Sequence, residues 1–276
     1  MEKILFTATV DSHILNFHIP YLKWFKEQGY EVHVASRGNA DIPYVDKKYD
    51  LPFERSPFRF SNIKTYFLLK EVIDKNNYDL IHCHTPMGSV LTRLAAKNAR
   101  KKGTKVLYTA HGFHFFKGAP IKNWLLYYPV EKWLSRYTDC LITINDEDYE
   151  CAIKKNFKAG SIKIINGVGI DLDKFTPHTP EEKKVLRKKN GYSDEDFILI
   201  YVAELNLNKH QDLIIDVIAV LKNKIPNIKL LLVGKGDMQS KYKGQANRLN
   251  IEKHVDFLGY RKDVPLLMKI ADVAVS

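Results

Sequence analysis

An α/β fold built from two successive doubly wound units is what this sequence predicts, and three features predict it. Short β-rich apolar runs alternate from end to end with stretches of 3.6-residue periodicity, the pattern of a parallel sheet covered by helices on both faces. The alternation pauses once, over 166–184, and then resumes. The chain has 276 residues, enough for two ordinary domains, and 45% hydrophobic with 27% charged residues is a globular balance.

The strand-like runs of the first unit are 3–9, 30–35, 79–83, 104–109, 139–144 and 162–165. After the first of them Ile14, Phe17, Tyr21, Leu22 and Phe25 line one helical face, and Gly29 stops it. Met87, Val90, Leu91, Leu94 and Ala95 do the same before Lys101, Lys102 and Gly103. Asn145 and Asp146 open an acidic first turn, which suits a helix N-terminus. The stretch "NGVGIDLDKFTPHTPEEKK" at 166–184 holds turn residues, two prolines and no periodicity, so it reads as an interdomain connection. The expected organisation is a domain over 1–165, a linker over 166–195 and a second domain over 196–276.

In that second domain the strand-like runs are 197–205, 229–237, 255–260 and 271–276. Helices fall between them: one with apolar positions 213, 214, 217, 218 and 221, another near 238–249, and a short one at 264–270. The last run, "ADVAVS", reads as a buried strand just begun. An open apolar edge is normally covered, so the expectation is a second unit that continues beyond Ser276.

Lys plus Arg number 43 against 32 Asp plus Glu, a net charge of +11 with +7 in 1–175 and +4 in 176–276. The excess is interleaved with acids, and no zinc finger, RNP motif or basic helix points to nucleic acid. A phosphate-bearing small ligand or an anionic membrane surface fits the same charge. Cys83, Cys140 and Cys151 are too few and too scattered for a disulfide scaffold, which suits reduced thiols in the cytoplasm. Residues 1–10 are too short and too strand-like for a signal peptide, and no 18-residue apolar span occurs.

Open α/β sheets bind ligands outside the carboxyl ends of their strands, so those loops hold the candidate site. The loop "TVDSHILNFH" (9–18) lacks GxGxxG, which removes most support for a dehydrogenase. There His13, Asn16 and backbone amides can meet an anion at a helix start, or Asp11 or Ser12 simply caps the helix; both readings stay open. His82 and His84 share one face of a strand, but no third ligand stands at local spacing, so no metal is expected. His84, at the strand tip, reads instead as a polar cleft residue. In "LYTAHGFHFFKGAP" (107–120), His111 sits between Ala110 and Gly112 at the end of a central strand. There it can donate to a sugar hydroxyl or share a proton with an acceptor. Residues 121–137 combine Trp124, Tyr127, Tyr128 and Trp133 with Lys122, Lys132 and Arg136. That composition suits a helix at a membrane interface or one packed on its own sheet. In the second unit Lys209 occupies a strand-to-helix loop, and Gly234, Lys235 and Gly236 follow the next strand. Two such loops at one end of adjacent strands can cradle a diphosphate.

Together these segments resemble the GT-B glycosyltransferases of family 4, nearly throughout the chain. "NGVGIDLDKF" (166–175) is similar to the family's Asn-Gly-Val-Asp stretch, and "YVAELNLNKH", "LLLVGKGD" and "VDFLGYRKDVPLLMKIADVAVS" follow in family order. "TATVDSHILNFHIPYLKWFKEQGYEV" (7–32) and "YTAHGFHFFKGAP" resemble the capsular and exopolysaccharide branch. The resemblance implies retaining transfer of a hexose or N-acetylhexosamine from a nucleoside diphosphate sugar, often UDP-linked. The implied acceptor is a lipid-linked saccharide at the cytoplasmic face of the membrane, and no metal or other cofactor is implied. His111 matches the family's active-site His, Lys209 the Lys that neutralises the donor diphosphate, and Gly234 and Gly236 the loop near the nucleotide. The implied site lies between the two domains. Three departures stand out: the Gly-rich first loop is missing, Glu204 and Ala203 replace the family's Arg and Gly, and the expected pair of Glu residues would fall beyond Ser276. With one cation of two absent, Lys209 carries more of the leaving-group charge. Without the Glu pair, the expectation for this chain alone is little or no activity. Two rivals are a GT-B-fold UDP-sugar epimerase, which needs acidic acid/base residues that these loops do not offer, and a non-catalytic fragment binding a sugar nucleotide or lipid-linked saccharide.

Overall fold

Six successive buried residues, Ile4 to Thr9, run through β1 (Lys3–Val10), so this strand is covered on both faces. A computed structural model describes residues 1–276 and falls into two compact units, Met1–Gly169 and Ile170–Ser276.

In the first unit β1 is followed by α1 (Asp11–Phe17), α2 (Ile19–Glu27), β2 (Glu31–Arg37), β3 (Lys47–Asp50) and α3 (Ser61–Asn76). The chain then returns through β4 (Leu80–His84), α4 (Pro86–Ala95), α5 (Lys97–Lys101), β5 (Lys105–Ala110), α6 (Ile121–Leu134), β6 (Cys140–Thr143), α7 (Asp146–Lys154) and β7 (Ser161–Ile164). All seven strands are parallel, in the order β3-β2-β1-β4-β5-β6-β7. The winding therefore reverses between β1 and β4, which makes their carboxyl ends the switch point where ligands bind in such sheets. One core, with Leu5, Phe53, Leu69, Ile81 and Phe115, fills one side of the sheet; Ile4, Phe6, Ile14, Leu22 and Val34 fill the other.

Helix α7 starts as its sequence predicts, with Asn145 Oδ1 accepting from the Asp148 amide at 2.8 Å. Three features differ from the sequence pattern. The first helical stretch is two helices, because Pro20 at the start of α2 has no N–H to continue the ladder. His18 sits at the break, its ring buried, while Phe17 and Tyr21 of the expected apolar face are exposed. Neither Asp11 nor Ser12 caps α1; Asp11 accepts from Ser36 Oγ at 2.5 Å and from the Ala40 amide at 2.9 Å. Finally, α3 and β3 occupy a region where no pattern marks an element, α3 burying only Asn62, Thr65, Leu69 and Ile73.

The second unit contains α8 (Pro180–Lys189), β8 (Phe197–Val202), α9 (Gln211–Leu221), β9 (Ile228–Val233), α10 (Gln239–Arg248), β10 (Val255–Gly259), α11 (Val264–Ile270) and β11 (Val273–Val275). Its four parallel strands are ordered β10-β9-β8-β11, again reversing beside the first strand. The expected linker over 166–195 needs correcting, because α8 and the turn after it are part of this unit. Thr179 and Glu182 form a reciprocal capping box, and buried Arg187 donates to Asp272 Oδ2 at 2.7 Å and to the Ile270 carbonyl at 3.0 Å. The helix is so polar that its inner face shows no apolar stripe; its anchor is a guanidinium. No helix is long and apolar enough to cross a membrane.

The first unit has its own buried cation. Arg93 of α4, 1% exposed, donates to Glu131 Oε2 of α6 at 2.9 Å and lies over the Tyr108 ring, 4.2 Å from its centroid. Removing one partner strands a charge, so Arg93→Met should cost about 3–5 kcal/mol in urea unfolding of this unit. Joint replacement with Glu131→Leu should recover most of that loss.

Candidate active site

The cavity at the switch point of the first unit has a volume of about 770 Å³. Thr9, Val10, Ser12, His13, Asn16 and Phe17 wall it after β1, Thr85, Pro86 and Met87 after β4, and Gly112 to Phe115 after β5. Leu126, Tyr127 and Val130 of α6 close one side, and Arg55, Pro57 and Phe58 another. It is mainly an apolar and aromatic pocket with a few polar groups at its strand ends, the usual make-up of a small-molecule site.

Local chemistry holds these loops in place. Thr85 has φ 62° and ψ 147°, a conformation that costs a β-branched residue energy. It is held there by Thr9, whose amide donates to Thr85 Oγ1 at 3.0 Å and whose hydroxyl bonds it at 2.7 Å. Asp148, at the start of α7, anchors the loop after β5 by accepting from the Phe113 amide at 2.9 Å. Burial raises that carboxyl's pKa. Neither Thr85 nor Asp148 is singled out by the sequence; a Thr beside Pro86 and an acidic helix start look ordinary.

His13 is half-buried and Asn16 exposed, and both line the cavity as expected. His111 is half-buried at the end of β5, its Nε2 3.4 Å from Nδ1 of His84. The expectation for His84 needs correcting: at 1% exposure it is buried among other imidazoles, so any influence on a ligand passes through His111. The reason is His18, which the sequence reading missed and whose ring centroid lies 3.8 Å from that of His84. Local spacing around His82 and His84 misses this cluster, since the further imidazoles come from α1, its break and the residue after β5. The one available signal was that 9–18 and 107–114 both end strands and both carry His.

Burial makes these rings poor bases. His13 is lowered to about 4, first by burial and then by His111; His82 to about 3, again chiefly by burial; and His18 to about 2. His84 and His111 also lie below the ordinary imidazole range for the same reason. All are neutral at pH 7, able to donate with one nitrogen and accept with the other.

In the second unit Lys209 ends a single 3-10 turn, Leu207–Lys209, capped by Asn206. Its backbone is fixed, with the amide donating to Asn206 Oδ1 and the carbonyl accepting from the Tyr201 hydroxyl, while the side chain is exposed. Glu204 is exposed as well, its Oε2 accepting from Asn206 Nδ2 at 3.1 Å. Gly234 and Gly236 turn out to be packing glycines. A Cβ at Gly234 would lie 1.9 Å from the Ala203 carbonyl oxygen, and one at Gly236 2.2 Å from that of Leu205. They let the loop after β9 lie directly on the loop after β8, where Leu205 donates to the Lys235 carbonyl at 3.0 Å. The loops that carry Lys209 and Lys235 are thus knitted together at one end of adjacent strands.

Two successive Rossmann-like parallel units are the architecture of the GT-B class of fold. The family model described as "Glycosyl transferase 4-like" matches residues 3–145, and that described as "Glycosyl transferases group 1" matches 182–276. The chain is 54% identical over 275 residues to the putative glycosyltransferase EpsD of Bacillus subtilis, covering 100% of this chain and 72% of that protein. It belongs to the glycosyltransferases. A second relative, 29% identical over 222 residues, is the UDP-Gal:alpha-D-GlcNAc-diphosphoundecaprenol alpha-1,3-galactosyltransferase of Escherichia coli, with 78% of this chain and 55% of that protein covered. Among solved structures, Anabaena Alr3699/HepE in complex with UDP and glucose superposes with a TM-score of 0.75 at 21% identity, over 99% of this chain and 73% of the other.

Two outcomes follow for stability. A histidine lowered by burial leaves the folded state short of protons relative to the unfolded one between the two pKa values. Stability is then full above about pH 6.5 and falls with acidification. For His13 alone, lowered to about 4, the loss by pH 4 is roughly 3 kcal/mol, readable as a falling urea midpoint for the first unit. A flat profile would mean that the rings are not held neutral. In the second unit Gly236→Ala should cost more than about 2 kcal/mol, because backbone, not a flexible side chain, must move.

Proposed function

We propose that this chain acts in surface polysaccharide synthesis by transferring a hexose or N-acetylhexosamine, with retention, from a UDP-linked donor to a lipid-linked saccharide. The second unit binds the nucleotide diphosphate, with Lys209 as its main cation, and the first binds the acceptor. The observation that carries this reading is the cavity of the first unit and what adjoins it. An apolar groove of about 550 Å³ shares Pro57, Phe58 and Met87 with the cavity and is lined by Phe60, Ile63, Tyr66 and Phe67. Phe58 and Phe60 are 78% and 86% exposed, with Arg55 and Arg59 beside them. Polar strand ends that lead into an aromatic groove suit a saccharide attached to a lipid. The diphosphoundecaprenol-linked substrate named for the Escherichia coli relative supports the same class.

Helix α6 supports a peripheral membrane site at the cytoplasmic face. Its Trp124, Tyr127 and Tyr128 pack on the core, while Ile121, Leu125, Leu126 and Trp133 are exposed among lysines. In the transfer itself the departing diphosphate gains negative charge, which Lys209 and nearby amides offset. Neutral His111 donates to a hydroxyl of the transferred sugar, and His13 and Asn16 orient the acceptor. Gly234, Gly236 and Glu204 shape the nucleotide loops through the packing described above.

Calorimetric titration with UDP tests the first half of this proposal. Lys209→Ala should weaken UDP binding by at least about tenfold with unchanged circular dichroism, since one charge-assisted contact is lost. Paired with it, transfer from UDP-sugars to a lipid diphosphate saccharide should fall at least about 100-fold in His111→Ala while UDP affinity stays put. UDP binding indifferent to Lys209 would overturn the assignment.

A further inference from the structure

The stretch 51–60 links β3 to α3, and its second half stands between two hollows of the first unit. Arg55, Pro57 and Phe58 line the cavity at the switch point, while Pro57, Phe58, Arg59 and Phe60 line the neighbouring aromatic groove. Met87 of α4 belongs to both, so the two hollows share a wall.

This segment is held in place from below. Asn62, buried in the first turn of α3, accepts from the Glu54 amide at 3.0 Å through Oδ1 and donates to the Ser56 carbonyl at 2.9 Å through Nδ2. Arg55 lies between the two clamped residues, so its backbone position is set. Glu54, the only acid in 51–60, is taken by Arg37 at 2.5 Å, which leaves Arg55 and Arg59 without an ion-pair partner. Phe58, Phe60, Ile63 and Phe67 are exposed beside them. An exposed apolar patch of this kind marks an interaction site, and a free guanidinium offers a planar fork that matches phosphate oxygens.

The order of these surfaces describes the ligand. His13 and Asn16 present hydrogen-bonding groups in the cavity, aromatic rings line the groove, and Arg55 and Arg59 stand where one gives way to the other. A matching molecule carries hydroxyls at one end, an apolar chain at the other and an anion between them. We propose that Arg55 and Arg59 form the subsite for the diphosphate of the lipid-linked acceptor, so that the phosphate linkage as well as the sugar is recognised. The subsite rests on the acceptor reading of the first unit given above. A diphosphate bridging sugar and lipid has one negative charge on each phosphate, which two cations balance. An anionic membrane surface is the poorer match, because Arg55 lines the cavity itself, which a flat layer of headgroups does not enter.

The test is calorimetric titration of the full chain with farnesyl diphosphate below its micellar concentration, and with farnesol as the probe that lacks phosphate. Arg55→Gln and Arg59→Gln should each weaken farnesyl diphosphate binding at least about fivefold, and together at least about 30-fold, with farnesol affinity unchanged. Both side chains are exposed, so both variants should keep the wild-type circular dichroism. Lys102→Gln makes the same charge change just before β5, at the opposite end of the sheet, and should alter neither affinity. Excess UDP should leave the probe bound; displacement by UDP would move it to the second unit and sink the subsite. Farnesyl diphosphate binding indifferent to both arginines would refute the subsite while the acceptor reading stands. No measurable binding of either probe would remove the acceptor reading as well. Cosedimentation with phosphatidylglycerol vesicles separates the remaining source. If it falls in the double variant while farnesyl diphosphate affinity holds, the arginines contact the membrane and the proposal is overturned.

Discussion

The constraint on which the first unit depends is the return of the chain from β3 across the sheet to β4, which pairs with β1 through Ile4 to Thr7. Once β1 and β4 are neighbours, the loops leaving them have to diverge, and a crevice opens between their carboxyl ends. The imidazole cluster and the lining of the main cavity sit in or under that crevice. Thr85 tolerates a strained backbone there because Thr9, on the adjacent strand, bonds it twice. His111 reaches the same place because β5 pairs beside β4 with His84 opposite Thr109.

Polar groups, more than apolar ones, fix how helices cover this sheet. Thr7 of β1 bonds Thr92 of α4 at 2.8 Å, and Arg93 one residue on meets Glu131 of α6. Satisfied buried polar contacts of this kind define one registry for a helix where apolar contacts alone would permit several. In the second unit Arg187 and Asp272 play the corresponding part, and Asp272 also accepts from the Ile198 amide at 2.7 Å. That pair ties α8 to the end of α11 and to the first strand of the unit. A hydrophilic helix thereby becomes an integral part of its domain.

The two units meet different demands at their switch points. The first leaves a roomy, aromatic cavity over a layer of uncharged imidazoles, which favours a ligand with an apolar part and hydroxyls. The second brings two loops so close that only glycine fits at Gly234 and Gly236, and leaves Lys209 exposed at the end of a rigidly capped turn. A cation on a fixed backbone beside tightly packed amides suits a compact anion. The proposed function gives that contrast a meaning: one unit for an alcohol on a bulky carrier, the other for a diphosphate.

Alternation of β-rich and helical segments by itself determined two parallel α/β units, because period and punctuation are local properties that each segment carries alone. That the loops carrying His13, His111, Lys209 and the Gly234–Gly236 stretch leave the carboxyl ends of strands was legible for the same reason, since strand ends are read from the same pattern. What only the tertiary structure decided depends on contacts between segments distant in sequence. Local spacing of His82 and His84 argued against a cluster, yet the switch point gathers His13, His18 and His111 around His84. A proline break turned His18 inward, against the apolar periodicity that placed Phe17 and Tyr21 there. The polar run from Pro180 looked like linker until Asp272, 85 residues beyond Arg187, supplied that residue's partner. Buried polar groups are invisible to patterning because their burial is made tolerable by a partner whose place only the fold assigns.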